Sequence, residues 1–406
     1  MATRVSAPDS VGILQSLIRC PSVTPDDAGS LDYLTQLLHP AGFNAIRLSF
    51  SAAGTPDVDN LVLRIGSGRP HLAFAGHVDV VPPGRSEDWT HPPFAAEIAD
   101  GYIYGRGAQD MKGSVAAFAA AALGAAQEYG EVWPGTLSLV LTADEEGPAI
   151  NGTTKVFQWM AEQNQVPDHC LVGEPTSAEK LGDTIKIGRR GSLSVTVSIS
   201  GVQGHSAYPE KADNPVPKLV RLLDRLASTR LDGGNDRFDI ARLDGGSEHF
   251  GASTLVITSV DVGNPASNVI PARATARFNI RFNTQHTGEK LLRWLEDQCR
   301  AVEAETGGRF EIKHALAGEA FVTEPGAFVG IVQDAVFQET GLMPALSTSG
   351  GTSDARFIKN YCPVLEFGPT NATIHQVDER IAVEELRATQ RIYSGVIDTY
   401  FGSNRA

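Results

Sequence analysis

Hydrophobic periodicity changes twice along this chain, and the changes constrain its fold more tightly than any single motif. Apolar residues recur at helical spacing over residues 11–19 and 31–38, then strand-like runs follow at 61–65 and 71–75. Asp100-Gly101, between apolar stretches 94–98 and 102–104, reads as a hairpin turn. An alanine-rich helix is expected after Gly113, a buried strand at 136–141, a helix from about 153 to 163 and a strand at 170–172. That alternation is the signature of a layered α/β domain. After Gly191 the period becomes two: residues 192–200 and 272–282 alternate apolar and polar, as strands of an antiparallel sheet with one wet face do. Helical stretches at 215–226 and 289–302 accompany them, and the α/β rhythm is expected to resume from Phe310. The expected architecture is therefore a discontinuous layered α/β catalytic domain, residues 1–190 and 305–406, with a smaller inserted α+β domain, residues 191–304. A chain of 406 residues exceeds one ordinary core, in keeping with two domains.

Composition removes several classes of function. A formal net charge of -14 opposes general nucleic-acid binding, because a phosphate backbone would be repelled. The longest apolar run, residues 115–126, is too short to span a bilayer. Arg4, Asp9 and Arg19 interrupt the first twenty residues, so a secretory leader is not expected and the cytoplasm is. Cys20, Cys170, Cys299 and Cys362 lie far apart with no Cys-x-x-Cys pair, which argues against a disulfide framework and a thiolate metal site.

Five short segments carry the chemistry: Gly76-His77-Val78-Asp79, Gln109-Asp110-Met111-Lys112, Asp144-Glu145-Glu146-Gly147, Gly173-Glu174-Pro175-Thr176 and Ile374-His375-Gln376. Two imidazoles and several carboxylates are donors of the kind that hold zinc. His77 ends an apolar strand and is followed two residues later by Asp79; a metal-bound imidazole usually gives its other N–H to a carboxylate, so Asp79 is its expected outer partner. Asp110 alone would read as a helix cap. Glu145 and Glu146 end an apolar strand, where successive side chains point in different directions, so one faces a metal and the other the substrate. Two zinc ions held by Asp110, Glu146, Glu174 and two neutral imidazoles leave one positive charge, which a hydroxide cancels. Such ions lower the pKa of bound water to about 7 and lie roughly 3.5–4 Å apart. Glu145 would then be the general base of an amide hydrolysis.

These segments, written out as His77-Val-Asp79, Gly-Arg-Gly-Ala-Gln-Asp110-Met-Lys-Gly, Thr-Ala-Asp-Glu145-Glu146-Gly and Gly-Glu174-Pro-Thr, resemble the dinuclear-zinc family of aminoacylases, carboxypeptidases and deacylases. The likeness runs from about residue 10 to 400. It extends to Gly188-Arg-Arg-Gly-Ser192, Gly201-Val-Gln-Gly-His205-Ser-Ala-Tyr208-Pro, Ala266-Ser-Asn268-Val-Ile-Pro271 and Ser349-Gly-Gly-Thr352-Ser-Asp-Ala-Arg356-Phe. The resemblance implies that Asp110 bridges two metals, that His77 and Glu174 complete one site, and that Glu146 and His375 complete the other. It implies two Zn²⁺ per subunit, with Co²⁺ possible at either position, and Glu145 as base. It also implies a homodimer in which His205, from the insert of the partner subunit, stabilises the oxyanion. Within the family the finer segments point to a deacylase whose small-molecule substrate carries carboxylates at both ends. Guanidinium groups suit such ends, so Arg189 or Arg190, Arg281 and Arg356 are candidates, with Tyr208, Asn268, Gly351 and Thr352 as hydrogen-bonding neighbours. Deacylation of another amino acid such as acetylornithine, cleavage of a short peptide, and metal-dependent binding without catalysis are the competing readings. Glu145, which binding alone would not require, argues against the last.

Overall fold

The computed structural model describes residues 9–229, 231–232 and 249–402. It divides into two compact units, one within Met1–Ile187, Thr323–Ser347 and Ser353–Ala406, the other within Gly188–Val322 and Thr348–Thr352. Among the described residues no helix is long and apolar enough to cross a membrane, and the four cysteines are unbridged.

The larger unit is built on an eight-stranded mixed sheet, in the order Asn44–Phe50, Val58–Gly66, Thr136–Thr142, His71–His77, His169–Val172, Val364–Glu366, Thr184–Lys186 and Ala345–Ser347. Its centre is parallel: His71–His77 runs alongside both Thr136–Thr142 and His169–Val172. Every residue of Thr136–Thr142 is buried, as expected of a strand covered on both faces. The helix Lys112–Tyr129 is buried along almost its whole length, which explains its alanines: small side chains let it lie close to its neighbours. The hairpin at Asp100-Gly101 forms as expected, both residues having positive φ (49° and 81°), though its first strand shortens to Ile98–Ala99.

The smaller unit carries a four-stranded antiparallel sheet, Thr254–Asp261, Arg273–Phe282, Gly191–Ser200 and Phe310–Gly318. Alternation in Arg273–Phe282 puts Ala274, Ala276, Phe278, Ile280 and Phe282 inward. These meet Leu219, Leu222 and Leu226 of helix Pro215–Ala227 and Leu291, Leu295 and Val302 of helix Gly288–Thr306 in one apolar core. Asn214 caps the first helix, its side chain accepting from Val216 N, and Pro215 takes the first-turn position where no N–H is needed.

The insert departs from the expected bounds. It begins at Gly188 and runs to Val322, rather than spanning 191–304. Phe310–Gly318, expected to resume the α/β rhythm, pairs antiparallel with Gly191–Ser200. It is an edge strand with residues 313–317 all exposed, so it lacks the apolar alternation that would assign it to this sheet. Thr254–Asp261, on the opposite edge, carries apolar side chains on both faces, Leu255 and Ile257 half-buried and Val256 and Val260 exposed, so its sequence shows no clean alternation.

Candidate metal centre

Three of the donor-bearing segments leave the central sheet at the same end, the C-terminal end of three neighbouring parallel strands. His77 is the last residue of its strand, Glu174 lies two residues beyond His169–Val172, and Glu145-Glu146 occupy a turn after Thr136–Thr142. Close approach is made possible by glycine. A Cβ on Gly76 would sit 2.6 Å from Met111 Cε, and one on Gly173 would sit 2.7 Å from the same atom. Met111, fully buried and next to Asp110, thus packs its methyl against the residues preceding both His77 and Glu174. The Asp110–Met111 peptide bond is cis.

The result is two groups of donors sharing one carboxylate. His77, Asp110 and Glu174 bring their ligand atoms within 4.8 Å of one another, and Asp110, Glu146 and His375 do the same. Asp110 faces both groups, Oδ1 lying 3.2 Å from His77 Nε2 and Oδ2 3.3 Å from His375 Nε2. His375 Nε2 is 2.8 Å from Glu146 Oε1. His375 is held at a positive φ of 59°, a conformation uncommon outside glycine that is found where the surroundings impose it.

Titration behaviour follows from carboxylates crowded out of water. Burial lowers the basicity of His77, but the Asp110 hydrogen bond and the charges of Asp79, Glu145 and Glu174 outweigh it and hold the imidazole well above its ordinary value. Hydrogen bonds to Asp110 and Glu146 push His375 up to about 10. Asp110, despite burial, is held below the usual carboxylate range by the two imidazoles. Burial pushes Glu174 well up and Glu145 up to about 8, with the charges of Asp354, Glu146 and Asp110 adding to the latter and His77 opposing. Excess negative charge of this kind is compensated by cations. The oxygen- and nitrogen-rich donor set fits two of them.

Asp79 does something other than expected. The His77 Nδ1 contact is with the Asp79 backbone carbonyl, at 2.9 Å, while the nearer carboxylate oxygen is 3.6 Å away. That carboxylate instead accepts from Glu146 N at 3.1 Å and Glu145 N at 3.4 Å. The two glutamates are therefore separated by a turn clamped on Asp79, and not by strand alternation. Sequence reasoning also missed Asp354, a buried carboxylate whose Oδ1 has no hydrogen-bond partner among the described residues and whose charge bears on Glu145. It missed Arg106 and Glu379, a buried ion pair at 2.6 Å behind Asp110. Arg106 stood in plain view in Gly105-Arg106-Gly107, but a buried pairing over 273 positions leaves no local signal.

The other candidates fall into distinct places. In the smaller unit, His205, Tyr208 and Asn268 are exposed and adjacent: Tyr208 N donates to His205 O and Ser206 N to Asn268 O. Arg189 is buried and its Nη1 donates to Ser349 O and Gly351 O, tying the segment that carries Gly351 and Thr352 to this unit. Gly350, φ 102°, leaves room for that guanidinium, since a Cβ would lie 2.7 Å from its Nη1. Arg190 Nε and Arg281 Nη1 are buried without a hydrogen-bond partner among the described residues. Burial and the neighbouring Arg190 charge hold Arg281 below its ordinary value. Arg356, in the larger unit, has its guanidinium 4.6 Å from the Phe357 ring and its Nε without a partner among the described residues.

A layered α/β unit with an α+β insert, carrying two donor groups that share an aspartate, defines a metal-dependent hydrolase. The chain matches the model of peptidase family M20/M25/M40 over residues 73–399 and belongs to that family. It is 52% identical over 393 residues to a succinyl-diaminopimelate desuccinylase of Parvibaculum lavamentivorans, covering 97% of this chain and 96% of the relative. A relative of the same name from Rhodospirillum centenum is 53% identical, covering 97% and 98%. Among solved structures, an M20 family metallo-carboxypeptidase from Sulfolobus solfataricus shares the fold with a TM-score of 0.74 at 16% identity, covering 97% of this chain and 99% of the other.

Proposed function

We propose that the chain hydrolyses the amide bond of N-succinyl-L,L-2,6-diaminopimelate, giving succinate and L,L-2,6-diaminopimelate, a step of diaminopimelate and lysine biosynthesis in the cytoplasm. The observation that carries the reaction class is the pair of donor groups sharing Asp110 with Glu145 beside them. Relatives of about half identity over nearly the full length support the substrate.

His77, Asp110 and Glu174 would hold one ion, and Asp110, Glu146 and His375 the other; Zn²⁺ suits these nitrogen and carboxylate donors, and Co²⁺ can take the same places. Two such ions, when bound, polarise the amide carbonyl and acidify water. Glu145 accepts the proton of the attacking water at its carboxylate and returns it to the leaving amine nitrogen. Asp79 orients that base by accepting the N–H groups of Glu145 and Glu146.

Arg190, Arg281 and Arg356, each with one buried nitrogen that has no partner among the described residues, are suited to a substrate carboxylate. Arg189 is better placed to hold the Gly351 and Thr352 segment in position. The exposed cluster of His205, Tyr208 and Asn268 fits a homodimer in which His205 of the partner subunit steadies the oxyanion and the insert serves as a dimerisation domain and lid.

Steady-state hydrolysis of the succinylated substrate, of acetylornithine and of a dipeptide, with metal removed and restored, tests this reading. Preference for the succinylated substrate that vanishes with the metal is expected. Faster turnover of either competitor, or activity indifferent to metal, contradicts it.

A further inference from the structure

The two donor groups are supported unequally from behind. Glu379 is fully buried, and its carboxylate spans the loop that delivers Asp110: Oε2 accepts from Arg106 Nη1 at 2.6 Å and Gly107 N at 3.1 Å, and Oε1 from Gln109 N at 3.0 Å and Asp110 N at 3.2 Å. The Arg106 guanidinium, only 3% exposed, also reaches the other loop, donating from Nη1 to Gln376 O at 3.1 Å and from Nη2 to His375 O at 3.3 Å. The Trp89 ring lies 5.2 Å from its carbon and limits where it can move. One planar cation therefore bonds the backbone of a donor residue on one loop and, through Glu379, the backbone N–H of the donor on another. His77 has no such dependence, because it is set by the register of a central strand.

We infer that Arg106, locked by Glu379, is a positioning residue that sets the spacing between Asp110 and His375, and so governs the affinity of the Asp110–Glu146–His375 group far more than that of the His77–Asp110–Glu174 group, which shares Asp110 but not His375. The inference rests on reading the two groups as a dinuclear centre. A planar fork is needed to reach Gln376 O and His375 O while pairing Glu379; a lysine ammonium keeps the charge but cannot span all three acceptors. Removing one partner of a buried pair strands the other charge, so Arg106→Lys is the gentler test than Arg106→Ala.

The experiment is calorimetric titration of the metal-stripped full chain with Zn²⁺, wild type against Arg106→Lys. Wild type is expected to take up two ions. In the variant one binding event should stay within about threefold of wild type and the other weaken by about 10–100-fold, as for loss of an outer partner of a metal ligand. Such a split between the two events is something a general loss of stability would not produce. Both events unchanged, or both weakened equally, would overturn the inference while leaving the dinuclear reading intact. A wild-type chain that binds a single ion would overturn both. If Arg106→Lys does not fold, Arg106→Gln/Glu379→Gln, which removes both charges, is titrated against the same criteria.

Discussion

The His77 and His375 halves of the centre hold the same kinds of donor on opposite kinds of scaffold. His77 has a side chain 1% exposed and closes a strand paired on both sides, whereas His375 is 46% exposed and sits at positive φ in a loop. A strand end inherits its position from the sheet's hydrogen-bond ladder. A loop residue must have its position supplied by other contacts, here Arg106 and, through Thr373, whose N and Oγ1 donate to Gln109 Oε1, the Asp110 loop itself. Equal ligand chemistry need not give equal binding: the buried half should hold its ion more tightly and exchange it more slowly.

Replacing each histidine tests that contrast most severely. His77→Ala should cost more metal affinity than the ~10–100-fold typical of an outer partner, and His375→Ala should leave one tightly held ion. Metal analysis after dialysis distinguishes them, and equal loss in both variants would show that strand and loop hold their ions alike. Next in size, Asp79→Asn should lower kcat by about 10–100-fold, since it loosens the turn that aims Glu145 and Glu146. Arg281→Ala lies outside both halves and should raise KM about 10–100-fold with kcat little changed, the behaviour of a contact equally strong in ground and transition states; unchanged kinetics would remove Arg281 from the substrate site.

The last effect bears on stability rather than on turnover or metal, at the far end of the His77 strand. His71 is buried against Ser138 Oγ at 2.8 Å, and burial, with the Arg64 and Arg69 charges, holds its imidazole down to about 4. Between its ordinary value near 6.5 and 4 the unfolded chain binds a proton that the folded chain refuses. Stability from this group is therefore full above about pH 6.5 and declines as pH falls through that window, by on the order of 3 kcal/mol. Urea midpoints from pH 7 to 4 should fall less steeply in His71→Gln than in wild type, and parallel profiles would refute the assignment.

Much of the buried half was legible because its signals are local. An apolar strand ending in His77 and another followed by Glu174 announce both the element and the donor. His375 was legible only through resemblance, since nothing around Ile374-His375-Gln376 shows that the chain returns to Asp110. The edge strands Thr254–Asp261 and Phe310–Gly318 were misread or missed because they carry no clean apolar alternation. Arg106 and Glu379 were invisible as a pair because their meaning lies in a contact across the fold.

On the proposed function, Glu145 moves the proton while the neighbouring donors hold the ions. The most direct measurement is turnover of N-succinyl-L,L-2,6-diaminopimelate by Glu145→Gln, with bound metal quantified on the same sample. A fall in kcat of about 10²–10⁴-fold with metal content unchanged is the expected result. Wild-type turnover in the metal-loaded variant would contradict it.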